Sequence, residues 1–226
     1  MAEKICVSIA PEDIESITRL AGLAFEQGAD YVEIRFDYLR PEQLQAAIDS
    51  AKGIKGKAVY TLRSKDQGGK FTGSEQDRVK WLYKLVEQRP MLLDVELDTL
   101  QQNDQLADFI ERQKTLLLVS WHDFQKTPTN DKIADILSVM RIYSNYVKIV
   151  TTAMTVEDSL RILEMYETAT GLNPIFFAMG EAGSISRVMC TIIGNAPFTY
   201  ASLGKAVAPG QLTLKQMRKL YDTMKK

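Results

Sequence analysis

Short apolar, β-branched runs alternate eight times with longer amphipathic ones along this chain, and that alternation limits the folds open to it. The strand-like runs are ICVSIA (5–10), YVEIRF (31–36), AVYTLR (58–63), MLLDVEL (91–97), TLLLVSW (115–121), YVKIVTT (146–152), PIFFAM (174–179) and FTYASL (198–203). Helical patterns lie between them near 12–27, 41–52, 74–88, 102–112, 130–144, 155–169, 183–194 and 213–225. Helix starts carry the expected signals: Pro41 stands where a first helical residue belongs, Ser74 precedes acids, and Thr155 with Asp158 makes a T-x-x-D capping pattern. Strands that alternate with helices pair in parallel through right-handed crossovers. Eight such units predict an α/β chain folded as a (β/α)8 TIM barrel; an open doubly wound sheet is the alternative. No G-x-G-x-x-G follows the first run and no G-x-x-x-x-G-K-[ST] occurs, so the nucleotide-binding form of that alternative lacks its fingerprint. At 226 residues the chain is shorter than the ~250 typical of the barrel. The expectation is one compact domain over residues 1–226 with lean connections.

Charge and cysteine content narrow the function classes. A formal net charge of −1 and a pI near 6.0 draw the molecule to neither nucleic acid nor an anionic membrane. No run approaches the ~18 apolar residues of a membrane span. The N-terminal MAEKICVSIAPEDIES has no apolar h-region and carries acids early, so a secretory signal is not expected. Cys6 and Cys190 are too far apart in sequence for a disulfide framework and are expected as buried thiols in a reducing cytoplasm.

The chemistry shows where polar residues interrupt apolar strands. Strands of a parallel barrel are buried on both faces, so a charge within them is costly. Glu33 and Arg35 lie two apart in the second run, on one face. The third run ends at Arg63, the fourth carries Asp94 and Glu96 on one face, and the fifth leads to His122 and Asp123. The sixth holds Lys148 within V-K-I-V, and the eighth leads to Lys205 and A-P-G-Q (208–211). Two readings fit Lys148. Taking an ammonium out of water favours the neutral amine, a nucleophile toward a carbonyl; alternatively, the lysine forms a buried ion pair with Glu96 or Asp94. His122 is the one histidine of the chain. A lone histidine is commonly structural, but here it stands at the C-terminal end of a strand, beside the strand of Lys148, where a proton shuttle belongs. One histidine also argues against a zinc site, and no metal is expected. Arg35, Arg63 and Arg187 each suit a surface charge taken singly. Together, at strand or loop ends, they suit a hydroxylated carboxylic acid or a phosphate, which a guanidinium fork grips through two parallel bonds. Arg187 also lies in G-S-I-S-R at a helix start, where backbone N–H groups favour an anion. The segment S-K-D-Q-G-G-K-F-T-G (64–73) follows the third run and is rich in glycine and charge; a lid over the site and a plain surface loop both fit it.

V-E-I-R-F-D (32–37), T-L-R-S-K-D-Q-G-G (61–69), S-W-H-D-F-Q-K-T-P (120–128), Y-V-K-I-V (146–150), M-G-E-A-G-S-I-S-R (179–187) and A-P-G-Q (208–211) together resemble, in order and over essentially the whole chain, the motifs of the type I 3-dehydroquinate dehydratases. The resemblance implies dehydration of the small molecule 3-dehydroquinate to 3-dehydroshikimate, the third step of the shikimate pathway, without metal or organic cofactor. It implies that Lys148 forms an imine with the substrate ketone and that His122 removes a proton from the adjacent carbon and returns it to the departing hydroxyl. Glu33, Arg35 and Arg63 would hold hydroxyl and carboxylate groups, Arg187 would clamp the carboxylate, and Ser8 and Gln211 would complete the set. A cytoplasmic homodimer is implied as well. Two positions depart from the family pattern. Gln67 stands where a glutamate is common, and Val207 where a hydroxyl residue is common. A hairpin that precedes the first strand in some relatives and seals the barrel is not expected here. Two rivals remain: a class I Schiff-base aldolase acting on a sugar phosphate, and a non-catalytic barrel that binds a small acid.

Overall fold

The computed structural model describes residues 3–204 and 208–224; Lys205 and Val207 lie outside the described residues. The strands are β1 (Ile5–Ile9), β2 (Tyr31–Arg35), β3 (Ala58–Thr61), β4 (Leu92–Glu96), β5 (Leu117–His122), β6 (Tyr146–Thr152), β7 (Asn173–Met179) and β8 (Thr199–Ser202). The helices are α1 (Ile14–Glu26), α2 (Leu44–Ala51), α3 (Glu75–Gln88), α4 (Leu97–Gln101), α5 (Asp104–Gln113), α6 (Asn130–Tyr143), α7 (Val156–Glu164), α8 (Ser184–Ile192) and α9 (Leu214–Met224). The eight strands run in one sheet in the order β7-β6-β5-β4-β3-β2-β1-β8. That order follows the sequence and sets β8 beside β1, as the (β/α)8 expectation requires.

Every expected strand forms, most of them a residue or two shorter than the apolar runs. The chain leaves β2 into a 3-10 turn at Phe36–Tyr38 and leaves β3 at Leu62, so the polar residues that follow lie beyond regular pairing. One helical span differs in kind. Between β4 and β5 the sequence suggests a single helix near 102–112, whereas two helices form, α4 and α5, separated at Asn103 (φ −141°, ψ 69°). The Asn103 amide donates to the Thr99 carbonyl at 2.8 Å and satisfies an acceptor the break would otherwise strand. Ser74 caps α3 by accepting from the Asp77 N–H at 3.1 Å, and the Thr155 N–H donates to Asp158 at 3.2 Å at the start of α7, as their patterns suggest.

Contacts divide the chain into two compact units: Ser8–Leu118, and the residues before and after it. Within Ser8–Leu118, β2, β3 and β4 pair in parallel, with Arg35 opposite Thr61 and Thr61 opposite Asp94. Val32, Ile34, Val59, Leu93 and Val95 form their buried apolar fill. Helix α1 turns Ile17, Ala21 and Ala24 inward, at the spacing of one helical face, and Asp13 caps it by accepting from the Ser16 N–H at 2.8 Å. In the other unit, β6 and β7 pair from Tyr146 opposite Asn173 to Thr152 opposite Met179. Leu163 of α7 and Cys190 of α8 pack with Ala196, Tyr166 and Met189. Cys6 and Cys190 are both buried free thiols, as expected, and burial pushes the Cys190 thiol up to about 11. No helix among the described residues is long and apolar enough to cross a membrane.

Candidate active site

The polar residues of β2, β3 and β4 gather at the C-terminal ends of those strands and form one buried network within Ser8–Leu118. Glu33 accepts from the Ser8 hydroxyl at 2.8 Å and from the Thr61 hydroxyl at 2.9 Å. Arg35 forks onto Asp37 through two bonds of 2.8 Å, with its guanidinium 5.1 Å from the Tyr38 ring. Arg63 reaches Asp94 at 2.8 Å and Glu96 at 3.0 Å. Burial by itself would push the Arg63 guanidinium down, but Asp94 and Glu96 overcome it and hold it above its ordinary value. Glu96 also accepts from Arg78 of α3 at 3.0 Å and from the Ser64 N–H at 3.0 Å. Arg78 in turn donates to the Leu62 carbonyl at 2.7 Å. Asp94 and Glu96 thus both bind the guanidinium of Arg63.

The segment 64–73, whose glycines and charges suit a lid, is anchored at several points. Lys65–Gln67 forms a 3-10 turn, the Gly69 N–H returns to the Ser64 carbonyl at 2.8 Å, and the Lys70 N–H donates to Asp37 at 3.0 Å. Gly69 packs so closely that a Cβ there would fall 2.0 Å from the Arg63 carbonyl oxygen, which explains the second glycine of the pair. Phe71 is buried, while the Lys65 and Asp66 side chains face water and Gln67 is half-buried. Asp37 and Arg78 were not singled out from the sequence. Asp37 had a visible signal as a charge closing V-E-I-R-F-D. Arg78 had another, as the charged member of the apolar stripe that continues through Leu82, Leu85 and Val86.

The second set lies in the other unit. Lys148 is the third residue of β6, opposite Ile175, and is only 4% exposed. Its ammonium lies 5.0 Å from the centre of the Tyr200 ring on β8. Tyr200 meets Phe177 of β7 with ring centroids 6.1 Å apart, and the Arg187 guanidinium stands 4.4 Å from the Phe177 ring. Two cations thus flank one aromatic pair. Arg187 is buried in the first turn of α8; its Nη2 has a long 3.5 Å bond to the Pro209 carbonyl, and its Nε has no hydrogen-bond partner. Burial pushes this guanidinium down to about 10. Arg35 and Arg63 face carboxylates of the chain itself, whereas Arg187 keeps donors to offer.

Local hydrogen bonds account for the motif around Arg187. The Ser186 hydroxyl donates to the Gly183 carbonyl at 2.6 Å and accepts from the Ala178 N–H at 2.8 Å, fixing the start of α8 to the end of β7. The A-P-G-Q loop rests on the loop after β7. Gly210 has φ +69°, and a Cβ there would fall 2.1 Å from the Gly180 carbonyl oxygen, so only glycine fits. Gln211, half-buried, follows it. His122 ends β5, half-buried, with the Phe124 ring stacked at 5.8 Å and an interplanar angle of 12°. The next residue, Asp123, donates its N–H to the Val150 carbonyl at 2.9 Å, which ties this corner to the strand of Lys148.

Comparison with known proteins agrees along the chain. The family model described as Type I 3-dehydroquinase matches residues 5–226. A 3-dehydroquinate dehydratase of Methanopyrus kandleri is 34% identical over 222 residues, covering 97% of this chain and 99% of that protein. The same-named protein of Pyrococcus abyssi is 33% identical over 219 residues, covering 96% and 95%. Among solved structures, the 3-dehydroquinate dehydratase from Aquifex aeolicus VF5 superposes with a TM-score of 0.80 at 28% identity, covering 97% of this chain and 98% of that one. The one from Geobacillus kaustophilus HTA426 reaches 0.90 at 24% identity, covering 100% and 92%, and shares the fold. Motif order, strand order and similarity over nearly the full length coincide: the chain belongs to the type I 3-dehydroquinase family.

Proposed function

We propose that this protein dehydrates 3-dehydroquinate to 3-dehydroshikimate, the third step of the shikimate pathway, through an imine on Lys148. The observation that carries the reading is the aromatic pair Tyr200–Phe177 with Lys148 at one end and Arg187 at the other. An amine in an apolar strand suits attack on a ketone. A buried guanidinium with an unpartnered Nε suits a carboxylate. A small keto acid carries both groups.

The Lys148 amine adds to the ketone and expels water, giving the iminium. The iminium draws electrons from the adjacent carbon, and His122 removes a proton there to leave an enamine. The enamine expels the neighbouring hydroxyl, which takes that proton from His122 and departs as water. Hydrolysis of the remaining imine returns the ketone and the free amine. The net change is loss of one water, and the scheme calls on no metal and no organic cofactor. In the same reading Glu33, Arg35 and Arg63 hold hydroxyl and carboxylate groups of the substrate, Ser8 and Gln211 complete the set, and residues 1–226 act as one catalytic domain. The family resemblance also supports a homodimer in the cytoplasm.

Borohydride reduction in the presence of 3-dehydroquinate tests the reading. A stable adduct whose mass sits on the peptide of Lys148 is the expected result; binding without adduct or turnover would hand the chain to the non-catalytic rival, and efficient cleavage of phosphorylated ketoses to the aldolase. His122→Ala is expected to keep some imine while kcat falls by roughly 10²- to 10⁴-fold, measured by the absorbance of the conjugated product. Arg187→Ala removes a charged hydrogen bond to the carboxylate, so KM should rise roughly 10- to 100-fold with kcat changed much less. An unchanged KM would remove Arg187 from the carboxylate.

A further inference from the structure

We propose that Phe124 is a positioning residue for the His122 imidazole. This inference rests on the role given to His122 above. The two rings stack with centroids 5.8 Å apart and planes 12° from parallel, an offset face-to-face arrangement. Phe124 is 48% exposed, so its ring is not there to fill the core. The torsion that turns an imidazole about its own axis has a broad, shallow profile, and a flat neighbour narrows it.

Phe124 can serve because the backbone on both sides of it is pinned. Oδ1 of Asp123 accepts the N–H groups of Gln125 at 2.8 Å and Lys126 at 3.0 Å, closing a tight turn around Phe124. The Asp123 carbonyl accepts the Thr152 hydroxyl at 2.9 Å, and its N–H donates to the Val150 carbonyl at 2.9 Å. The buried Thr127 donates its hydroxyl to the Thr152 carbonyl at 3.0 Å and lies 2.8 Å from the Thr151 hydroxyl. Arg161 of α7 donates to the carbonyls of Thr127 at 3.1 Å and Pro128 at 2.8 Å. Apart from the two bonds within the turn, these ties run to β6 or to the helix that follows it, and β6 carries Lys148. The stacked phenylalanine thus refers the plane of the imidazole to the strand that bears the amine. The chemistry needs that reference, because one imidazole both removes the proton from carbon and delivers it to oxygen, and each transfer tolerates only a narrow range of geometry.

The test uses the full chain without an affinity tag, so that His122 is the one histidine and its imidazole gives one unambiguous set of NMR signals. Phe124→Leu keeps apolar bulk but removes the flat face; Phe124→Tyr keeps the ring. In Phe124→Leu the ring-current displacement of the His122 carbon-bound protons should vanish. Its kcat should fall about 10- to 100-fold, the range that mispositioning of a reacting group produces, while KM and the yield of borohydride adduct on Lys148 stay near wild type. Phe124→Tyr should restore both the NMR positions and kcat. A Phe124→Leu enzyme with wild-type kcat, unmoved imidazole signals, or a loss that Phe124→Tyr does not restore would each overturn the proposal. If the wild-type chain itself neither turns over nor traps 3-dehydroquinate, the functional reading fails, and the NMR comparison still decides whether the stack orients the ring.

Discussion

Lys148→Ala should lose turnover and borohydride adduct together, with kcat falling on the order of 10⁴-fold or more, as when other enzymes lose a covalent nucleophile. The geometry leaves the amine no understudy on its own strand: V-K-I-V offers one lysine, opposite Ile175, its ammonium against the Tyr200 ring. Lys148→Met is the sharper partner variant, because it keeps the aliphatic stem that packs in β6 and removes only the amine. Lys148→Ala leaves a cavity in a buried strand and is expected to cost some stability, whereas Lys148→Met fills most of the same space and should stay closer to wild type. Activity lost in Lys148→Met while the fold is kept is the signature of a residue placed for chemistry. An adduct of undiminished yield on another lysine in Lys148→Met would sink the assignment.

Glu96→Ala should be among the most damaging single changes to folding, although Glu96 never touches the ketone in the scheme above. Its carboxylate joins Arg63 at 3.0 Å and Arg78 at 3.0 Å, and also takes the Ser64 N–H at 3.0 Å. Both guanidinia are buried, with side chains 4% and 1% exposed. Removing one partner of a buried pair costs about 3–5 kcal/mol, because the charges left behind have lost both water and counter-ion. Asp94 still holds Arg63 and Glu75 still holds Arg78, so the lower part of that range is the fitting expectation. Urea unfolding reads it as a lowered midpoint at unchanged slope. Glu96→Gln keeps the shape and one acceptor and should cost less. A shift below about 1 kcal/mol for Glu96→Ala, the scale of an exposed pair, would mean that the network relaxes around the loss.

Much of this was legible before any coordinates. The eight alternating units follow from periodicity, which each short segment carries by itself. Lys148 stood out for the same local reason, a charge in a run that burial should make apolar, and Arg187 through a motif at a helix start. Helix α4 is not legible in the sequence, because Leu97–Gln101 follows directly on the apolar run of β4 and is too short to show a helical period. Other features needed residues far apart to meet. Which carboxylate each arginine takes depends on register: Arg35 opposite Thr61 and Thr61 opposite Asp94 set the reach of Arg63. Arg78 reaches Glu96 across 18 positions, and Tyr200 comes under Lys148 from another strand altogether. Side-chain identity along the chain thus carries the element order and points to Lys148 and His122 as candidates. Tertiary packing alone decided their surroundings: two arginines neutralised within the chain, one left with donors to offer, and a phenylalanine laid against the imidazole. The physical reason is range. Propensity and burial period act over a few neighbours, whereas ion pairs and ring stacks are chosen only when strands come into register.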